Sequence, residues 1–180
     1  MRARFVKLAL TALSAAAFAG MPSACGDGDG DLTLGEYFER VKAIHEVDEK
    51  RFAPVTDYFS TVGDPEAAVQ DRIEALRNAL DGYVAANRAR ADDYDRLDPP
   101  SQVEEQHNEL VSSISAVADL FAGLSVRAEE VDSQSDLKEL LAEFEKREFV
   151  EVLERPGRVC VALQTVADEN NVKVDLACDA

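Results

Sequence analysis

The feature that most constrains this chain is a run of mostly apolar residues recurring at steps of three and four. Across residues 103–131 they are Val103, His107, Leu110, Ile114, Val117, Phe121, Leu124, Ala128 and Val131. At 3.6 residues per turn these positions share one helical face, whereas a strand's period of two would divide them between opposite faces. A second seam runs Leu34, Phe38, Val41, His45, Asp48, Phe52, Val55, Phe59 and Val62. A third carries Val69, Ile73, Leu76, Leu80 and Tyr83, with Tyr94 and Leu97 further on. A fourth carries Leu137, Leu141 and Phe144 and resumes at Val159, Leu163 and Val166.

Punctuation separates the four. Thr33-Leu34-Gly35-Glu36 and Ser101-Gln102-Val103-Glu104 each spell a capping box, in which the hydroxyl accepts an orphan backbone N–H and the glutamate reaches back. Asp64-Pro65-Glu66 reads as a helix start with Asp64 as N-cap, and Ser133 or Ser135 as the cap of the fourth helix. Gly63, Pro99-Pro100 and Asn170-Asn171 are stops, and Pro156-Gly157 should kink or break the last helix. Short connections make neighbours antiparallel. The expected fold is therefore all-α: an up-down-up-down four-helix bundle with a kinked or broken fourth helix. Each of the first three helices would be about 45 Å long, for ~30 residues at 1.5 Å rise. Val172-Lys173-Val174-Asp175-Leu176 alternates apolar and polar, and predicts an extended C-terminal tail along the bundle.

Ahead of the bundle lies a different kind of segment. Arg2, Arg4 and Lys7 precede 13 uncharged residues, Leu8 to Gly20. A spanning helix needs about 20 apolar residues, so this stretch suits the apolar region of a signal peptide. Two processing patterns compete. Ala17-Phe18-Ala19 fits ordinary signal peptidase; Pro22-Ser23-Ala24-Cys25 resembles a lipobox, with Pro22 where leucine is usual. Cysteine arithmetic favours the second. The chain has three cysteines, and an unlipidated Cys25 would leave an odd thiol in an oxidising compartment. The expectation is a signal peptide over residues 1–24, an acylated Cys25, a Gly/Asp tether over residues 25–32 and a helical domain over residues 33–180. The aspartates of the tether do not form a calcium loop: counted from Asp27, Leu32 and Phe38 stand where an EF-hand needs glycine and glutamate.

Cys160 and Cys178 are then free to pair. Neither belongs to a C-x-x-C, and a structural bridge closing a loop of this size stabilises by roughly 3 kcal/mol in the chain-entropy model.

Net charge is −17, and −20 once the three basic residues of the leader are removed. Such a surface disfavours nucleic acid, which needs clustered Lys and Arg, and anionic headgroups would repel it. Membrane contact is thus expected through the anchor alone, on an exported protein at the cell membrane or the outer membrane. Both methionines, Met1 and Met21, precede Cys25, which excludes a Met-rich copper site from the domain.

Chemistry has few candidates. Glu104-x-x-His107 puts a carboxylate and an imidazole on one face, as di-iron bundles do, but the residue three before His45 is Lys42, so the second copy is missing. His107, Glu104 and His45 are the candidate metal ligands, with Asp48 as a further oxygen donor. No G-x-S-x-G, H-E-x-x-H or phosphate loop occurs, and neither an enzyme nor a cofactor is expected.

Leu97-Asp98-Pro99-Pro100 followed by His107-x-x-Leu110-Val111, and Cys160-x-x-Leu163-Gln164-x-x-Ala167 closing on Leu176-Ala177-Cys178, resemble strings in small bacterial lipoproteins of unknown function. The resemblance implies a lipobox joined to one α-helical domain, and no activity. The expected role is a non-enzymatic binding or scaffolding module that engages another envelope protein, with a metal-binding bundle as the alternative.

Overall fold

Thr33 opens the first helix as its sequence predicts. Its Oγ1 accepts from Glu36 N at 3.3 Å while its own N–H donates to Glu36 Oε2 at 3.0 Å, completing the capping box. The computed structural model describes residues 32–178, which belong to one compact unit, Asp31–Ala180. The leader, Cys25 and residues 25–31 of the tether lie outside the described residues.

The described residues hold five α-helices and no strand: α1 (Leu34–Gly63), α2 (Val69–Asp95), α3 (Glu104–Ala128), α4 (Gln134–Ala142) and α5 (Arg147–Glu169), with a 3-10 turn at Glu143–Glu145. Helix α2 packs along both α1 and α3, and α5 packs along α3. The seams explain this. All nine seam positions from Val103 to Val131 are buried, as are Phe38, Val41, Asp48, Val55 and Val62 of the first. Helix α3 is long and apolar enough to cross a membrane by length and composition, but its seam is committed to these neighbours.

Three boundaries differ from expectation, and one open choice is decided. Asp64 does not cap α2; its Oδ1 accepts from Glu66 N at 2.9 Å in a turn, and α2 starts only after Ala68. Ser101 does not cap α3. The two prolines before it lead into a turn closed by Val103 N donating to Pro100 O at 2.9 Å, so Val103 becomes the N-cap and the box is not made. Between Ser133 and Ser135, it is Ser133 that caps α4, accepting from Asp136 N at 3.3 Å. The break in the last helical segment falls at Glu143–Lys146, and α5 runs through Pro156. At 25 and 27 residues, α3 and α2 are shorter than the 45 Å expected.

The interior is two apolar clusters. One joins Val62, Ile73, Leu76, Leu80, Phe121 and Leu137 with their neighbours; the other joins Tyr37, Phe38, Tyr94, Ile114, Leu163 and Leu176 with theirs. Aromatic contacts knit the first, with Tyr83 stacked on Phe121 at 4.1 Å between centroids. Arginines close its helix ends: Arg72 Nε donates to Val62 O at 2.8 Å, and Arg77 donates to Ala128 O at 3.0 Å and to Val131 O at 2.9 Å. The bonds to Val62 O and Ala128 O satisfy carbonyls in the last turns of α1 and α3, and the bond to Val131 O holds the connection that follows α3.

From Val172 to Cys178 the tail is neither helix nor strand, and Val174 N donates to Val172 O at 3.0 Å in a tight turn. Cys160 and Cys178 stand at disulfide distance, with Cα atoms 5.5 Å apart.

Candidate functional site

The buried polar side chains of the domain include Asp48, Asn87, His107 and Ser113. Asp48 and Asn87 fall, along their helices, between the residues of the two apolar clusters. Around Asp48 the structure assembles the densest charged group of the domain. Arg51, one turn along α1, bridges the Asp48 carboxylate and, at 2.6 Å, Asp93 of α2. Arg90 of α2 approaches Asp48 Oδ2 at 2.9 Å, an ionic contact rather than an in-line hydrogen bond. Burial pushes the Asp48 carboxyl above its usual value, against the pull of Arg90 and Arg51. A charge this enclosed is tolerable only because two guanidinium groups meet it.

His45 lies one turn before Asp48. Its Nδ1–H donates to the Leu176 carbonyl of the tail at 2.7 Å, which leaves Nε2 as the lone-pair nitrogen. That nitrogen is buried and bonds to no described residue, and the same holds for the hydroxyl of Tyr94. The two rings meet edge to face with centroids 6.4 Å apart, and the Arg90 guanidinium lies 5.9 Å from the Tyr94 ring centre. Burial, then Arg90, holds the His45 imidazole below the ordinary histidine value, so it is neutral at pH 7. Burial pushes the Tyr94 phenol up to about 12.

His107 is placed elsewhere. Its Nδ1 shares a hydrogen bond with the Tyr37 hydroxyl at 3.2 Å, and burial lowers its affinity for a proton. Tyr37 is fully buried, and burial keeps its phenol protonated. His107 thus sits at the level of Tyr37, while His45 lies eight residues further along α1, a rise of about 12 Å. Glu104 is exposed in the first turn of α3. The structure does not bring His107, Glu104 and His45 together: among the described residues no three His, Cys, Asp or Glu side chains gather in a way that could hold a metal ion.

Asp48 was visible in the sequence as a seam carboxylate. Tyr37, Arg51, Arg90, Asp93 and Tyr94 belong to no motif that marks a site. One signal existed for them: Arg90 and Tyr94 are spaced by four on α2, as Asp48 and Arg51 are by three on α1.

A second feature is an open groove of about 360 Å³ between α3 and α5. Leu120, Leu124, Phe149 and Val152 line it, and a Cβ built on Gly123 would meet nothing within 4 Å. At its rim Glu143 is held between Lys146, at 2.6 Å, and Arg127, at 3.1 Å, which keep its carboxyl below the usual range.

No family model matches the chain, and no curated protein or solved structure matches it either.

Proposed function

We propose that the chain is a lipid-anchored, non-enzymatic helical module that binds another protein at the extracytoplasmic face of a bacterial membrane. The observation that carries this reading is the placement of Cys160 and Cys178 at bonding distance. A structural bridge belongs to an oxidising compartment, and using two of three cysteines leaves Cys25 as the one with another fate. The small residues before Cys25 and the basic, apolar leader make that fate acylation, as in the small lipoproteins that the chain resembles.

The groups able to do acid–base chemistry support a structural use of the interior. His45 holds the tail, His107 holds Tyr37, and Asp48 holds Arg51 and Arg90. We take consecutive helices to alternate in direction. The support is that Val62 and Val69 share one cluster across the 64–68 turn, while Leu97 and Val103 share the other across the next connection. The partner contact is assigned to the α3–α5 groove. Its volume suits one or two apolar side chains, and the net charge of −20 after the leader is removed favours a partner whose flanking residues are basic.

Two measurements test this. Cys25→Ser should move the protein from the membrane pellet to the soluble fraction; unchanged pelleting overturns the anchor. A photo-crosslinking residue at Gly123, in the acylated protein in its own membrane, should capture one envelope protein, and the same residue at exposed Glu46 should not. Equal capture at both positions removes the groove from the proposal.

A further inference from the structure

Helices α1 and α5 do not pack along one another as the other neighbours do, and the C-terminal strap occupies the trough between them. Its side chains alternate: Leu176 is buried, Val172 and Val174 are half-buried, and Lys173, Asp175 and Ala177 are exposed. The trough recognises the strap through its backbone. Gln164 of α5 donates from Nε2 to Val174 O at 3.0 Å and accepts from Leu176 N at 2.9 Å, while His45 of α1 donates to Leu176 O. These three bonds read the backbone at Val174 and Leu176 and seat the Leu176 side chain in the apolar cluster, and a second copy of this chain carries the same segment.

The strap is also held under strain at both ends. Among the described residues the non-glycine positions with positive φ are Asn171, at 57°, and Ala177, at 47°. Asn171 turns the chain back at the end of α5, where Val172 N donates to Ala167 O at 2.9 Å and Asn171 N to Asp168 O at 3.1 Å. That is a Schellman ending with asparagine where glycine is preferred. Ala177 lies between the buried Leu176 and the bridge at Cys178, in a conformation that its Cβ disfavours. Straightening at Asn171 relieves the first strain and sends the strap away from its own trough.

We infer that the strap is exchanged between copies: residues 172–178 of one chain lie in the α1–α5 trough of a second, and each Cys178 bonds the partner copy's Cys160. The covalent step needs only a small-molecule thiol such as reduced glutathione. Its thiolate attacks Cys178 Sγ and expels the Cys160 thiolate. After the strap has moved, the Cys160 thiolate of the other copy attacks Cys178 Sγ in the mixed disulfide and expels the glutathione thiolate unchanged. Two such events turn two intramolecular bridges into two intermolecular ones with no net oxidation. A neighbour competes with the chain's own strap only when local concentration is high. The exchange needs neither the acyl chain nor the partner protein of the preceding section.

The test uses two full-length chains, both carrying Cys25→Ser. One also carries Cys160→Ser and so offers only the strap thiol; the other carries Cys178→Ser and offers only the trough thiol. After mixing with oxidised and reduced glutathione, non-reducing electrophoresis and mass spectrometry read the products. The Cys178–Cys160 heterodimer should exceed the Cys178–Cys178 homodimer about tenfold, because docking raises the effective concentration of the pair. Leu176→Asp in the strap donor should remove that excess and leave the homodimer unchanged, with helical content checked by circular dichroism. Asn171→Gly, which removes the penalty of the closed turn, should lower heterodimer yield about fivefold. A heterodimer no more abundant than the homodimer, or one indifferent to both substitutions, overturns the inference.

Discussion

Burial holds the imidazoles of His45 and His107 below the ordinary histidine value, and this has a consequence for stability. As pH falls through about 6.5 the unfolded chain takes up these protons before the folded one does. The stabilisation is therefore complete above that pH and is lost as pH drops toward the folded values. Protonated His45 would also carry a buried Nε2–H with no acceptor among the described residues. Asp48 works in the opposite sense, since its raised value favours the folded state as pH falls. In an Asp48→Asn background, the urea midpoint should fall between about pH 7.5 and about pH 5.5. Adding His107→Gln should make that dependence shallower, with His45 supplying the remainder. An equally steep fall without His107 would show that the proton is taken up elsewhere.

At the scale of the helix, the caps show what the sequence could and could not announce. Thr33-x-x-Glu36 and Ser101-x-x-Glu104 are the same pattern, yet only the first is made. A pattern of four residues records nothing of the two prolines ahead of Ser101, whose turn preempts the cap. Likewise the seams identify which faces are buried, because burial follows period, whereas Pro156 does not mark a break: α5 runs through it. The candidate site was half legible. Asp48 and both histidines lay on seams, but their actual partners come from residues remote in sequence, such as Arg90 and Leu176. Thr33→Ala should then lower stability by about 1 kcal/mol, and Ser101→Ala by close to nothing, in urea titrations at neutral pH. Equal losses would mean that the α3 box forms in solution. The helical glycines divide in the same way. A Cβ at Gly123 meets open space, but at Gly82 it comes within 3.0 Å of Val55 Cγ2. Gly123→Ala should stabilise by roughly 0.5–1 kcal/mol, and Gly82→Ala should gain less because Val55 has to shift.

The whole domain is two apolar clusters with Asp48, Arg51, Asn87 and Arg90 between them, and only one cluster is reached by the strap. Leu176 seals that cluster, and the Cys160–Cys178 bridge keeps the strap in place by limiting the freedom of the unfolded chain. The other cluster is closed by Arg72, Arg77 and the aromatic contacts of Phe121, Phe144 and Phe149, none of which touches the strap. Local opening follows local contact, so the two ends need not loosen together. Reducing the bridge should therefore speed amide exchange around Tyr37–Val41 and Val159–Ala167, while residues 117–128 of α3 retain their protection. Hydrogen exchange read by mass spectrometry, with and without reductant, separates the cases. A uniform loss of protection across both clusters would mean that the charged group around Asp48 couples the two ends instead of insulating them.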